Sequence, residues 1–148
     1  MEGISSRLVG SWRLLSWEAV ADGERPLRPM GTDVEGLLVY ASDGTMMVLI
    51  GRAGRAPFAA ADLLQATAEE RSRAVETFIA YGGSYDVDGG TVSHHVAMSL
   101  FPNWVGSVQR RYAAFDESGD VLTLTSDPIL VRGSQRSQSL VWERVRRP

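Results

Sequence analysis

The sequence has no cysteine and no lysine. All 15 of its basic residues are arginine. The absence of cysteine excludes disulfide bonds, thiolate metal ligands and cysteine nucleophiles. The absence of lysine excludes a Schiff base with a carbonyl substrate. It also means that the glycine-rich segment 51–57 lacks the lysine of a phosphate-binding loop. The chain therefore cannot use a thiol or a lysine amine for covalent catalysis.

Long apolar runs are also missing. No uninterrupted apolar stretch approaches the roughly 18 residues of a membrane span, and no basic N-terminal region leads into an apolar one. The net charge of -3 is opposite in sign to that of a general nucleic-acid binder, which neutralises phosphates with basic residues. We therefore expect a cytoplasmic protein whose partners include neither membranes nor nucleic acids.

The length and the hydrophobic content favour one domain over residues 1–148. The chain lies within the usual range of about 100–200 residues for one domain. Hydrophobic residues make up 44% of it, which is enough to form a sizeable core. The sequence leaves the oligomeric state open between a monomer and a homodimer.

Alternating apolar and polar residues predict β-strands over most of the chain. The predicted strands are 8–20, 36–40, 45–50, 84–88, 91–100, 107–116, 121–126 and 138–145. In the first of them, simple alternation places Trp12 and Leu14 on one face and Trp17 on the other. Short strands at this spacing predict an all-β fold with one helix, in which an antiparallel meander closes into a barrel of about 8–10 strands.

The one predicted helix lies between the third and fourth strands. Thr67 and Glu70 form a capping box, in which each side chain satisfies a free backbone N–H at the helix start. The helix is predicted to run to about Tyr81, with an apolar stripe of Ala74, Val75, Phe78 and Ile79. Gly82 and Gly83 follow where a C-terminal cap would lie. We expect this helix to pack on the sheet as a lid or plug.

Two short motifs carry a resemblance to a known family. A G-x-W motif lies at 10–12, and the strand-like segment LVWER lies at 140–144. They resemble the first and last strands of lipocalins and related calycin barrels.

Nearly end to end, the chain resembles the bacterial and fungal lipocalin-like domain family, through GLLVYASDG, SHHV and FPNWVG. The resemblance implies a calycin-type barrel with a small apolar ligand cavity, in which Arg144 stacks on Trp12 at the closed end. It also implies a place in specialised metabolism, where related barrels include cofactor-free cyclases.

The densest chemistry lies in the segment SHHVAMSLFPNWVG. A two-residue Gly-Gly loop before it would pair Tyr85 with His94. One face of this two-strand hairpin then holds Tyr85, His94 and Met98. The opposite face holds His95, near Asp86. Because neighbouring strand residues point to opposite faces, the two histidines cannot share one site, and we expect no metal.

The sequence is compatible with two roles for an inward histidine. If the apolar face is the lumen, His94 lies inside beside Tyr85 and acts as a general base or a hydrogen-bond donor to a ligand. The alternative is a buried, neutral histidine bonded to Tyr85 or to a backbone carbonyl. A turn shifted by one residue would instead place His95 inside, with Asp86 near it.

Arg110 and Arg111 also alternate, so that one points inward and the other outward. We expect Arg111 inside, where its guanidinium would bind a carboxylate, an enolate or a polarised carbonyl. A salt bridge to Glu18 or Glu143 is the alternative. Trp104 lies in a loop between strands, either as a rim contact for a ligand or as a cap on the barrel end.

Two main functions fit this arrangement. The first is the binding of a small hydrophobic molecule, polyketide-like or terpenoid-like, inside the barrel. Its expected contacts are Trp104 and six wall residues, namely Leu38, Tyr40, Val48, Tyr85, Met98 and Leu124. The second is a cofactor-free cyclase or isomerase, in which His94 shuttles a proton and Arg111 or Tyr85 stabilises an oxyanion. Neither function requires a cofactor, and an interaction module with a filled barrel is a third hypothesis.

Overall fold

The computed structural model describes residues 3–146, which form an antiparallel β-barrel. Two helices lie within that range, α1 (Ile4–Leu8) and α2 (Ala68–Glu76). The strands within it are β1 (Gly10–Val20), β2 (Val34–Tyr40), β3 (Thr45–Arg52), β4 (Phe78–Asp88), β5 (Thr91–Ser99), β6 (Val108–Phe115), β7 (Val121–Thr125), β8 (Ile129–Val131) and β9 (Ser134–Arg144). Short 3-10 turns occur at Leu63–Gln65 and Pro102–Trp104.

The barrel is closed by its first and last strands. Each strand from β1 to β6 pairs antiparallel with the next strand in the chain. β7 pairs with β9, and β9 pairs with β1, so that eight strands form a closed ring. β8 adds to the first residues of β9 as a short hairpin. The predicted all-β antiparallel barrel is confirmed.

Two β-bulges shift the alternation of side chains between the faces of the barrel. In β1 the pairing with β9 skips Leu15, so Trp17 points into the barrel on the same side as Trp12. Simple alternation predicted opposite faces for these two tryptophans. In β5 the pairing with β4 skips Ala97. Met98, predicted in the cavity wall, therefore points outward and is 77% exposed.

α2 begins where the capping box predicted and ends earlier than expected. The Thr67 side chain accepts from the Glu70 backbone N–H, and Glu70 reaches back to the Thr67 N–H. The helix ends at Glu76, because Phe78 already begins β4 and pairs with β3. α2 has no buried residue and lines no part of the barrel interior. In residues 3–146, no helix is both long enough and apolar enough to cross a membrane.

Gly82 and Gly83 lie inside β4 rather than at a helix end. A Cβ atom on Gly83 would lie 1.9 Å from the carbonyl oxygen of His95 in the neighbouring strand. Only glycine permits so close an approach of two backbones. The prediction of a glycine helix cap here is wrong, since the glycine pair serves strand packing next to the β5 bulge.

One end of the barrel, which we call the closed end, is sealed by α1 and by the hairpins joining β2 to β3, β4 to β5 and β6 to β7. There the Cζ atom of Arg144 lies 4.3 Å from the centre of the Trp12 ring. The Arg144 guanidinium also donates to the carbonyl oxygens of Val9, at 3.1 Å, and Arg7, at 2.6 Å. Trp12 Nε1 donates to the carbonyl of Leu8 at 2.9 Å. The single N–H group of the Trp12 ring is thus paired.

The opposite end, which we call the open end, carries the longer connections of the barrel. They cover residues 21–33, 53–77, 100–107 and 126–133. The buried guanidinium of Arg136 on β9 pairs with Glu24, which ties the first connection to the barrel. Long connections are in general more mobile than tight hairpins, so this end is the one at which a ligand would enter.

Candidate functional site

A cavity lies inside the barrel, between the buried core of the closed end and the loops of the open end. The space within it open to water-sized molecules is about 60 Å³. This is a small cavity, with room for only a few waters. Trp104, from a 3-10 turn, and Ile129, from β8, lie at its open-end rim.

The cavity wall is mainly apolar. Three tryptophans, Trp17, Trp104 and Trp142, contribute to it. The aliphatic side chains are Leu38, Val48, Ile50, Ile79, Leu124, Ile129 and Leu140. The polar side chains are Tyr81, His94, Gln109, Arg111 and Gln138. An apolar wall with a few polar groups is typical of a small-molecule site.

His94 lies in the cavity wall and is only 2% exposed. Its Nε2 atom is 2.6 Å from the Tyr40 hydroxyl, and its Nδ1 atom is 2.7 Å from the Tyr81 hydroxyl. Tyr85, the predicted partner, pairs with His94 only along the backbone. Its hydroxyl donates to the carbonyl of Ala41 at 2.8 Å. His94 is thus held between two tyrosines, neither of which is the predicted one.

The two tyrosines determine which ring nitrogen of His94 carries the proton. A neutral imidazole has one donor nitrogen and one acceptor nitrogen. Tyr40 is fully buried, and within residues 3–146 its hydroxyl has no hydrogen-bond partner other than His94. A proton on Nε2 would leave the Tyr40 O–H without an acceptor, at a cost of about 1–3 kcal/mol. We therefore assign Tyr40 as the donor to Nε2, and Nδ1–H as the donor to Tyr81.

Burial keeps this group of side chains uncharged at neutral pH. It lowers the pKa of His94 from 6.5 to about 3, and the positive charge of Arg111 acts in the same direction. Burial also raises the pKa of Tyr40 and of Tyr81 above the usual 10.0, although Arg111 opposes the effect at Tyr81. With both nitrogens bonded and a pKa this low, His94 is a weak proton acceptor.

Arg111 lines the cavity, whereas Arg110 faces solvent. One amino group of the Arg111 guanidinium donates to the carbonyl of Arg110 at 2.8 Å. Glu18 and Glu143, the predicted alternative partners, pair with other arginines. Within residues 3–146, no carboxylate oxygen lies within 4.0 Å of the Arg111 guanidinium. The positive charge at the cavity is therefore not neutralised by a carboxylate in the described part of the chain.

Two buried hydrogen-bond donors in the cavity wall have no partner in the described part of the chain. Gln138 is 3% exposed, and its Oε1 atom accepts from Trp17 Nε1 at 2.6 Å. That bond fixes the orientation of the amide and leaves Gln138 Nε2 unpaired. Trp142 Nε1 is also unpaired. Because buried polar groups almost always have partners, two free donors on one cavity wall call for an explanation.

Four of the predicted ligand contacts line the cavity, namely Leu38, Val48, Trp104 and Leu124. Tyr40 is not part of the lining and contacts the site only through its bond to His94. Tyr85 packs against Tyr40, with ring centres 4.8 Å apart, and does not line the cavity either. The predicted role of Tyr85 at an oxyanion is therefore not supported, because its hydroxyl is bonded at the closed end.

The prediction misses nine residues that line the cavity, namely Trp17, Ile50, Ile79, Tyr81, Gln109, Ile129, Gln138, Leu140 and Trp142. Gln138 and Trp142 alternate with Leu140 along β9, and all three are buried. That alternation was visible in the sequence and could have indicated them. Trp17 could not be found in this way, because the bulge in β1 reverses its face.

The outer face of the barrel carries the second histidine. His95 Nε2 lies 2.6 Å from a carboxylate oxygen of Asp86, and both side chains are exposed. Within residues 3–146, no group of three or more His, Cys, Asp or Glu residues is placed to hold a metal ion. The two adjacent histidines thus lie in opposite environments, one inside the barrel and one in water.

An eight-stranded antiparallel barrel, with an arginine stacked on a tryptophan at one end and an apolar cavity inside, defines a calycin-type barrel. The profile of the lipocalin-like domain family matches residues 9–145, and the chain belongs to this family. A curated relative is the 4'-hydroxy-3'-methoxypropiophenone carrier protein ppsC of Aspergillus oryzae (strain ATCC 42149 / RIB 40). It is 31% identical over 111 residues, which cover 69% of this chain and 98% of the relative.

Proposed function

We propose that this protein binds and carries a small hydrophobic molecule, of a single-ring aromatic and polyketide-like kind, inside its barrel. The observation that carries the proposal is the apolar cavity with three tryptophans in its wall. At about 60 Å³ the cavity is smaller than the roughly 150 Å³ apolar cavity that holds a benzene molecule. A substituted ring would therefore enter only with an outward movement of the side chains or loops at the open end.

The relative supports the same class of ligand. Its name describes a carrier of an aryl ketone with one ring, and the chain covers nearly the whole length of that relative. Aromatic walls suit an aromatic ligand, because rings gain from offset or edge-to-face contacts beyond the area that they bury. Trp104 at the rim already makes such contacts, lying edge-on to Tyr81 with ring centres 5.8 Å apart.

The contacts of His94 weigh against a cyclase or isomerase at the same cavity. A proton shuttle needs a free nitrogen and a pKa near the working pH. Both nitrogens of His94 are bonded to tyrosines, and burial holds its pKa at about 3. The same side chain is well suited to a fixed binding wall, because its two bonds hold both tyrosine rings in place.

The composition and pattern of the sequence support further parts of the proposal. We propose that the carrier consists of one domain over residues 1–148 and works in the cytoplasm as a monomer or homodimer. We also propose that it needs no cofactor, since binding in an apolar cavity requires none. Size-exclusion chromatography with light scattering measures the oligomeric state directly.

Isothermal titration calorimetry with 4'-hydroxy-3'-methoxypropiophenone as the probe tests the proposal. We expect one molecule bound per chain. Leu124→Trp places an indole in the cavity and abolishes binding, whereas Met98→Trp adds the same side chain on the outer surface and leaves binding unchanged. Circular dichroism checks that both variants are folded, since overpacking at Leu124 costs about 1–3 kcal/mol. Equal affinity of the two variants would place the ligand outside the barrel and contradict the proposal.

A second measurement separates carriage from catalysis. The probe is incubated with pure protein, without added cofactor, and then recovered and analysed by mass spectrometry. We expect it to be recovered unchanged. A product of the same mass but a different retention time would instead support an isomerase or cyclase, and its loss in His94→Gln would assign the proton shuttle to His94.

A further inference from the structure

We infer that the ligand is held in the cavity as an oxyanion, such as a carboxylate, phenolate or enolate, by a wall that offers several unpaired hydrogen-bond donors and one positive charge. The inference rests on the proposed function and specifies the chemistry of its ligand. It follows from the bonding of four side chains: Tyr81, Arg111, Gln138 and Trp142.

The orientation of Gln138 makes it a donor toward the cavity. An amide has one acceptor oxygen and one NH2 group with two hydrogens. The indole of Trp17 can only donate, and it lies 2.6 Å from Gln138 Oε1, so that contact requires the oxygen on that side. The NH2 group is left buried and without a partner in the described part of the chain. A ligand atom that bonds to this NH2 group must therefore accept.

Trp142 and Tyr81 present the same polarity. An indole N–H can only donate, and Trp142 Nε1 is buried and unpaired in the described chain. Tyr81 lines the cavity, and its oxygen accepts from Nδ1–H of His94 in the tautomer that satisfies Tyr40. The O–H of Tyr81 is then free to donate. The buried bond between Tyr40 and His94 thus determines that Tyr81 offers a hydrogen to the ligand.

Arg111 adds a positive charge to this set of donors. Among the described residues, those that line the cavity include no aspartate or glutamate. Within residues 3–146, the Arg111 guanidinium has no carboxylate oxygen within 4.0 Å. A neutral ligand oxygen could accept from the donors but would leave this charge uncompensated. An oxyanion satisfies the donors and the charge together, since bonds between ionised partners are the stronger ones.

Three planar probes of nearly the same shape test the inference by calorimetry on the unmodified protein. Benzoate is an anion with two acceptor oxygens, nitrobenzene is a neutral molecule with two acceptor oxygens, and benzamidine is a cation with only donors. We expect benzoate to bind at least tenfold more tightly than nitrobenzene, and benzamidine not to bind. Nitrobenzene binding as tightly as benzoate would overturn the role of charge. Benzamidine binding as tightly as benzoate would overturn the donor polarity of the wall.

Two neighbouring arginines provide matched variants. We expect Arg111→Gln to weaken benzoate binding at least tenfold and to leave nitrobenzene binding within about twofold. Arg110→Gln, on the outer face, should change neither. Equal loss for both probes in Arg111→Gln would indicate a damaged cavity and overturn the assignment of Arg111 to the anion.

The outcomes also separate this inference from the proposed function. If the aryl ketone binds in the barrel and benzoate does not, the carrier function stands and the oxyanion inference is wrong. If neither the ketone nor any of the three probes binds, the carrier function fails, and the inference fails with it.

Discussion

The two ends of the barrel each have a prominent tryptophan, and the two rings are held in different ways. At the closed end, Trp12 is fully buried, donates to a backbone carbonyl and lies under the Arg144 guanidinium. At the open end, Trp104 is half-buried and stacks on Phe101, with ring centres 5.3 Å apart. The first ring is fixed by bonds to the backbone, and the second rests on other side chains of the loops.

This difference shows how one barrel divides stability from binding. Tight hairpins and α1 bring backbone carbonyls close enough to satisfy the polar groups of the closed end. In the cavity wall, by contrast, two donors on β9, Gln138 Nε2 and Trp142 Nε1, have no partner in the part of the chain that the structure describes. We therefore expect changes at the closed end to alter unfolding, and changes at the open end to alter ligand affinity.

The largest expected effect is that of Trp12→Ala. Removing a fully buried indole leaves a cavity and should lower the free energy of unfolding by about 3–5 kcal/mol. Urea denaturation at pH 7.5 measures the change. If the variant does not fold, Trp12→Phe provides a smaller loss that can still be measured. A loss below about 1 kcal/mol for the alanine variant would contradict the structural role of this ring.

Arg144→Met should have the next largest effect, a loss of about 2–3 kcal/mol in the free energy of unfolding. The variant removes a cation–π contact and two charged bonds to backbone carbonyls, and it keeps most of the side-chain length. Arg146→Met is the control, since Arg146 makes an exposed pair with Asp120 that contributes at most about 1 kcal/mol. Equal losses in the two variants would show that the stacking on Trp12 adds nothing.

Midway between the ends, His94 should make stability depend on pH. In the unfolded chain, His94 binds a proton below about pH 6.5. In the folded chain, the His94 side chain stays neutral down to about pH 3. Stability is therefore fully present above pH 6.5 and falls as the pH drops through the range from 6.5 to 3. At about 1.36 kcal/mol per pH unit, we expect a loss of about 2 kcal/mol between pH 7 and pH 5.

Urea denaturation across this pH range checks the prediction. His94→Gln should flatten the curve between pH 7 and pH 5, because glutamine does not titrate. His95→Gln, which alters the exposed neighbour, should leave the slope in place. An unchanged slope in His94→Gln would assign the pH dependence to other groups.

The smallest effect on stability, with a clear effect on binding, is expected for Trp104→Ala. Because this ring lies at the rim and is half-buried, its loss should lower the free energy of unfolding by no more than about 1 kcal/mol. Ligand affinity should fall about tenfold, which corresponds to about 1.4 kcal/mol. Calorimetry and urea denaturation on the same preparation measure both. A stability loss as large as that of Trp12→Ala would remove the distinction between the two ends.

Much of the fold could be predicted, because its signals are local. The Asp-Gly turn at 43–44, the Gly-Gly turn at 89–90 and the Thr67 capping box all occur where the sequence predicts them. A local signal is ambiguous where two causes require the same residue. Gly83 permits the close approach of two strands. A glycine in the same place would also be expected at the C-terminal cap of a helix.

The site is less predictable, because it depends on counting residues along strands. Alternation places His94 and Arg111 inside correctly, since no bulge lies between them and the turns that set their register. It fails for Trp17 and Met98, each of which follows a bulge. The bond between Trp17 and Gln138 joins the first and last strands, so only closure of the barrel reveals it.

The distribution of the indoles gives the protein an optical property. Of its four tryptophans, three line the cavity, and Trp12 lies at the closed end under a guanidinium. A bound ligand would change the surroundings of three emitters and leave the fourth as an internal reference. Intrinsic fluorescence can thus report occupancy of the cavity without any attached dye. That is useful in a chain with no cysteine or lysine side chain to which a dye could be coupled.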